Sequence, residues 1–193
     1  MVRPREFDED QALNAALDLF WEKGYEASSL SELSERMGIQ KPSIYAAFGD
    51  KKALFEAALR QYSKQHSSRI RAILQKPAPV KEAFRSLFED LIEKEYTGAH
   101  NKGCFCINTM VELSPHDEKF AILTREHQMY LSAIFEETLK RGVITGELNR
   151  ELNGKALSQT LVVSLIGLTV MMKSRPDRSF VDHSKDVILS LIQ

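Results

Sequence analysis

The chain has 193 residues, 43% of them hydrophobic and 27% charged, with a formal net charge of −1. Those proportions describe a globular protein of one domain, or of two small ones sharing a core, and exclude a disordered chain or a bulk polycation. Two cysteines exclude a disulfide scaffold, and the charged N-terminus lacks the apolar segment of a secretory signal, so reduced thiols and a cytoplasmic location are expected.

In chain order, residues 1–7 read as a loose arm with Arg3 and Arg5. From Asp8 to Lys23 the pattern is helical, with Leu13, Ala16, Leu17 and Phe20 at i, i+3, i+4 and i+7, and Gly24 ends it. Ser29 and Glu32 fit a capping box that starts a second helix at about Leu30. Leu30, Leu33 and Met37 share its apolar face, and Gly38 stops it. Pro42 suits the first turn of a third helix. There Ile44, Ala47 and Phe48 face inward, while Pro42, Ser43, Tyr45 and Ala46 face outward. Two short helices separated by a tight turn, the second with a small polar outer face, form a helix-turn-helix shaped for a major groove.

The stretch GIQKPSIYAAFGDKKALFEAAL resembles the recognition-helix segment of the TetR family of bacterial transcriptional repressors, through Gly38, Tyr45, Phe48, Lys51 and Leu54. The resemblance covers roughly the first sixty residues. It implies an all-α homodimer that binds a palindromic double-stranded operator and is released by a small effector. The competing reading is a buried helix pair without a DNA role. Bulk charge does not decide between them, because residues 1–66 hold 9 Lys and Arg against 11 Asp and Glu. Locally, Lys41, Lys51 and Lys52 outnumber Asp50 between residues 39 and 52. The expected DNA-binding residues are Ser28, Ser29, Lys41, Pro42, Ser43, Tyr45, Ala46 and Lys51. Lys41 and Ser43 can bond base edges, Ala46 can meet a thymine methyl, and the two serines, Tyr45 and Lys51 suit phosphates.

Asp50 is a good N-cap for a long helix toward Leu74. Pro77 and Pro79 break the chain, and a helix follows with Val80, Phe84, Leu87, Phe88, Leu91 and Ile92 on one face. Residues 97–102 read as a loop and 104–113 as a short apolar helix. A long helix runs from Asp117 to about Lys140, ended by Arg141-Gly142. Residues 153–173 form the most apolar helix, and 179–193 the last, with Val187, Ile188 and Leu191 as its face. The expectation is therefore all-α, about nine helices. A helix-turn-helix head occupies residues 1–50, and an effector-binding and dimerisation body 51–193.

The last two helices are the expected interface of a four-helix bundle between two copies, through Leu161, Leu165, Leu168, Met172, Val187 and Leu191. A small hydrophobic effector is expected among Phe84, Phe88, Ile107, Met110, Met129 and Phe135, with Asn108, His127 and Tyr130 as polar contacts. The longest apolar run, within Leu161 to Met172, is about half of a bilayer crossing, so no membrane is expected. Cys104-Phe105-Cys106 is the chemical oddity. In a helix the two thiols diverge, a metal site with His100 and His116 is weak, and small buried hydrophobes are the plain reading. GCFCIN is similar to the Gly-Cys stretch of TetR-type repressors that sense electrophiles, which implies thiol-based redox or electrophile sensing by Cys104 or Cys106 as an alternative. A transcriptional activator of the same fold is another. No phosphate-cradling loop, nucleophile elbow or HExxH motif occurs, so neither an enzyme nor a cofactor is expected.

Overall fold

A computed structural model describes residues 7–98 and 102–193; the arm with Arg3 and Arg5, and His100, lie outside them. Nine helices and no strand occur among the described residues. They are α1 (Glu9–Lys23), α2 (Leu30–Met37), α3 (Lys41–Phe48), α4 (Lys51–Leu74), α5 (Val80–Thr97), α6 (Phe105–Glu112), α7 (Glu118–Thr145), α8 (Gly154–Met172) and α9 (Arg178–Ser190).

Local chemistry sets most boundaries. Asp8 caps α1 by accepting from the N–H groups of Asp10 and Gln11. Ser29 and Glu32 close the capping box at the start of α2, and Gly38, at φ 67°, ends that helix in the left-handed region. The Lys23 ammonium and the Ser29 hydroxyl hold the Glu32 carboxyl down at about 2, so the box keeps its charged acceptor. Asp50 caps α4 through the Ala53 N–H at 2.7 Å.

One boundary differs from expectation. The long helix α7 runs through Gly142 and stops at Gly146, whose φ is 80°. Gly142 is buried, and a Cβ there would stand 2.7 Å from Leu148 and 2.9 Å from Val80. Its glycine serves close packing, not termination.

Two apolar clusters divide the interior. One joins α1–α3 to the first half of α4, to α6 and to the start of α7, with Phe20 and Phe55 edge-to-face at 4.8 Å. The other fills the space among α5, α7, α8, α9 and the end of α4. Helix α8 reaches the length and apolarity of a membrane span, with mean hydropathy 1.5 over its window, more than the sequence run suggested. Its Leu161, Val162, Leu165, Leu168 and Met172 lie in the second cluster. Helix α9 packs through Val181 and Leu189 and leaves the face of Val187 and Leu191, about half a turn away, exposed.

Candidate functional site

Helix α3 is anchored by Ile44, which is completely buried, and is braced by partly buried Phe48. With those positions inward, the helical period turns Lys41, Pro42, Tyr45 and Ala46 into solvent and leaves Ser43 at the edge. Tyr45 is 51% exposed, a large side chain that the fold leaves without a packing role. The Lys41 ammonium donates to the Ser31 hydroxyl at 2.8 Å, which ties α3 to α2 and holds the cation on the outer face.

The flanks differ from expectation at Ser28. Its side chain is buried and its hydroxyl donates to the Tyr25 carbonyl at 2.8 Å, so it braces the α1–α2 turn and has no free path to a phosphate. Ser29 is exposed, but its hydroxyl is engaged with Glu32 at 2.8 Å. Lys51 stands at the first turn of α4, its ammonium 4.4 Å from the Tyr25 ring centre, which holds a half-buried cation beside the helix N-terminus. Lys52, by contrast, is ion-paired with Asp117. Lys41, Lys51 and the N–H end of α4 therefore supply the positive potential beside an outer face of small groups and one phenol.

The residues expected around an effector do not share one cavity. Phe84, Phe88 and Phe135 are fully buried core side chains. Met110 packs partly buried on the head cluster. Ile107 and Asn108 line an open cleft of about 870 Å³ between α1 and α6. His127 and Tyr130 line a shallow depression, and Met129 is 66% exposed. The cavity that does enter the body has a volume of about 460 Å³ and lies among α1, α4, α5 and α8. Trp21, Tyr62, His66, Leu87, Cys104 and Leu165 are among its walls, with Arg69, Asp90 and Lys94 at its charged side. Residue spacing places Trp21 on α1 and Tyr62 on α4 without marking either as a pocket wall. The signal for a pocket was their clustering with His66 on facing sides of α1 and α4, which only the tertiary fold brings together.

Beneath this cavity, the His66 Nδ1 and His127 Nε2 atoms are 3.1 Å apart. Burial depresses both, His66 to about 3, with the neighbouring His127 adding to the effect, and His127 to about 4. The pair is therefore neutral at pH 7, one ring donating and the other accepting.

The two thiols are closer than a helical reading allows. Cys104 is the N-cap of α6 with extended backbone, φ −94° and ψ 126°, so only Cys106 is helical. The Cys106 thiol hydrogen-bonds Cys104 and is the main cause that lowers the Cys104 thiol to about 7, against burial; the Tyr62 hydroxyl and the N–H groups of Ile107 and Cys106 help. Cys106 is pushed up by the same contact and by burial, and its sulfur lies 3.1 Å from the Ser63 hydroxyl. Cys104 borders the 460 Å³ cavity, whereas Cys106 borders only a small void behind it. Among the described residues no set of three His, Cys, Asp or Glu side chains has the arrangement of a metal site.

The outward face of α8 also differs from expectation, whereas Val187 and Leu191 of the expected interface are exposed at the end of the chain. Leu161, Leu165, Leu168 and Met172 are buried within the subunit, because α8 packs on α5, α7 and α9, so none of them is on the surface. The exposed apolar side chains are Val163, Val170 and Met171 on α8, with Phe180, Val187 and Leu191 on α9.

Comparison with known proteins bears on both regions. Residues 12–58 match the family model described as bacterial regulatory proteins, tetR family. Residues 80–188 match the model of a tetracyclin repressor-like C-terminal domain. Over 193 residues, all of both chains, the protein is 33% identical to the uncharacterized HTH-type transcriptional regulator YezE of Bacillus subtilis (strain 168). It is 29% identical to the HTH-type transcriptional repressor ComR of Escherichia coli (strain K12), over 87% of this chain and 80% of that one. Among solved structures, a cysteine mutant of the TetR family transcriptional regulator CifR, complexed with 26bp double-strand operator DNA, superposes with a TM-score of 0.86 at 31% identity, covering 97% of this chain and 98% of that one. The reduced form of E. coli NemR shares the fold at a TM-score of 0.86 and 18% identity, over 95% and 96% of the two chains.

Proposed function

The chain belongs to the tetR family of bacterial regulatory proteins, a family of DNA-binding transcriptional regulators, and we propose that it is a repressor. In this reading it binds a palindromic operator as a dimer, in the cytoplasm, and a small apolar effector releases it. The working division keeps the head at 1–50 and the body at 51–193. The observation that carries the reading is the outer face of α3: Ile44 buried, with Lys41, Pro42, Tyr45 and Ala46 exposed around it. A helix so anchored presents one side to a major groove without any change in its own packing.

Dimerisation supplies two half-sites, and the exposed Val163, Val170, Met171, Phe180, Val187 and Leu191 form an apolar surface to bury against a second copy. The 460 Å³ cavity is of the size that small-molecule sites have, and its Trp21, Tyr62 and Leu87 walls favour an apolar ligand. Filling it moves Gly103–Cys104 relative to α1 and α4, and operator affinity falls as far as the ligand prefers the displaced state. Selection of bound duplexes from a random-sequence pool tests the reading. Enrichment of a two-fold symmetric sequence supports it, and recovery of no preferred sequence rejects it.

A second reading is favoured by one observation. Cys104 combines a thiol lowered to about 7 with a place on the cavity wall. In this variant the effector is a thiol-reactive electrophile that forms a bond to Cys104, with Cys106 behind it. Release of operator by N-ethylmaleimide in the wild type, but not in Cys104→Ser, supports this reading; equal release in both rejects it.

A further inference from the structure

We propose that Glu112 is a positioning residue that sets the attitude of the helix-turn-helix against the body, and hence the separation of the two half-sites the dimer accepts. The proposal rests on the operator-binding reading above. Glu112 is the last residue of α6, and its carboxylate crosses to the turn between α1 and α2. One oxygen accepts the Tyr25 N–H at 3.2 Å and the other the Glu26 N–H at 3.0 Å. A carboxylate at a helix C-terminus opposes the helix dipole, so its placement there needs a compensating partner. The two backbone donors are that partner.

The turn is shaped to receive it. Gly24 has φ +83°, and a Cβ on it would stand 2.9 Å from the nearer Glu112 oxygen. A side chain at this position would be strained and would also push the carboxylate away. Tyr25 continues into the brace described for Ser28, whose hydroxyl and N–H both donate to the Tyr25 carbonyl, at 2.8 and 3.3 Å. Residue 29 then caps α2. A carboxylate fixed on Tyr25 and Glu26 thereby fixes where α2 starts, and α3 is tied to α2 by Lys41.

The other end of α6 is held by the same helix of the head. The Trp21 indole N–H donates to the Gly103 carbonyl at 3.1 Å, and the Lys102 ammonium meets Glu22 at 3.2 Å. Helix α6 therefore spans from the cavity wall at Cys104 to the α1–α2 turn, about 12 Å at 1.5 Å per residue. Removing the Glu112 carboxylate leaves the cavity end and the apolar packing of α6 attached and releases the polar tie at the α1–α2 turn. The helix-turn-helix then keeps the apolar core it shares with α6 but loses the polar tie that sharpens its angle to the body.

The test uses the full-length dimer and an operator taken from the random-pool selection, rebuilt with its half-sites one and two base pairs closer or farther apart. A duplex carrying a single half-site is the control. Wild type is expected to favour one separation by about tenfold over its neighbours, the scale of one lost specific contact. Glu112→Ala is expected to flatten that preference to less than about threefold while single-half-site binding stays within about twofold. Glu112→Gln, whose amide oxygen can still accept one N–H, should fall between. An unchanged separation preference in Glu112→Ala overturns the proposal. So does a loss of binding shared equally by all separations and the single half-site, which would mean Glu112 only supports folding. A wild type with no preferred separation at all would defeat the two-half-site reading, and this proposal with it.

Discussion

Helix α3 buries one side chain, Ile44, and turns Lys41, Pro42, Tyr45 and Ala46 to solvent, whereas α8 buries seven of its 19 residues and still exposes Val163, Val170 and Met171. The outer face of α3 is small and polar, so exposing it costs little whether or not DNA is present. The outer face of α8 is apolar over its second half, and each square ångström taken from water is worth about 25 cal/mol, so that part gains from a second surface. One helix is complete as a subunit element and available for a ligand. The other is complete only in part. The distinction gives each substitution an expected signature, in stability or in association.

The largest effect separates the two sides of α8. Leu165→Ala should cost about 2–5 kcal/mol in urea unfolding, because it empties space in a packed core. Val163→Ala, on the exposed side, should change subunit stability by less than about 0.5 kcal/mol and instead weaken self-association in sedimentation experiments. The reverse pattern would mean that Leu165 faces the partner.

Acidity tests the inner side of the body next. The His66 and His127 side chains titrate at about 3 and about 4 in the folded protein, below the ordinary value near 6.5 for an unfolded chain. Their stabilising effect is fully present above pH 6.5 and is lost as pH falls toward 4, since only the unfolded chain then binds the protons. The slope should approach about 1.4 kcal/mol per pH unit for each histidine at its steepest. Urea unfolding at pH 7, 6 and 5 measures it, and His66→Gln should remove roughly half of the slope. A flat stability between pH 7 and 5 would show that the pair is open to water.

Legibility followed the same division. Where the determining contact is local, residue spacing was enough: the Ser29–Glu32 box, the Asp50 cap, Gly38 and the Ile44 face all act within one turn of chain. It was not enough where the contact is distant. Gly142 looked like a stop because glycine often is one, but Val80 and Leu148, far apart in sequence, press on it. Ser28 looked free because nothing nearby in sequence predicts its burial under the turn. Helix α8 is apolar around most of its circumference, so periodicity could not say which leucines face α5, α7 and α9. The cavity was illegible for a related reason, since Trp21, Tyr62, His66 and Cys104 come from three separate segments. At Cys104 the failure was one residue of helix boundary, enough to bring two thiols together that a continuous helix would part.

On the outer face of α3 the expected effects are smaller. Tyr45→Phe removes a hydroxyl that suits a phosphate and should weaken operator binding by about 1.5–3 kcal/mol, the usual worth of a hydrogen bond to a charged group. The thermal midpoint should hold, because the ring stays and the position is 51% exposed. Fluorescence anisotropy with labelled duplex reads the binding. An affinity equal to wild type would place the duplex away from Tyr45.

The smallest effect is the most selective. Lys51 stands at the N-terminal turn of α4, held over the Tyr25 ring at 4.4 Å, where its charge adds to the positive end of the helix dipole. If a cation there meets a phosphate and no base, Lys51→Ala should weaken binding to all duplexes about equally and reduce the salt dependence of log K by about 1. Ser28→Ala is the paired control. Its hydroxyl is spent on the Tyr25 carbonyl, so it should leave the salt slope alone and lower the stability of the α1–α2 turn by about 1 kcal/mol. If Ser28→Ala changed the slope and Lys51→Ala did not, the phosphate would be reached from the start of α2, and the duplex would have to sit closer to α1 than the exposed face of α3 places it.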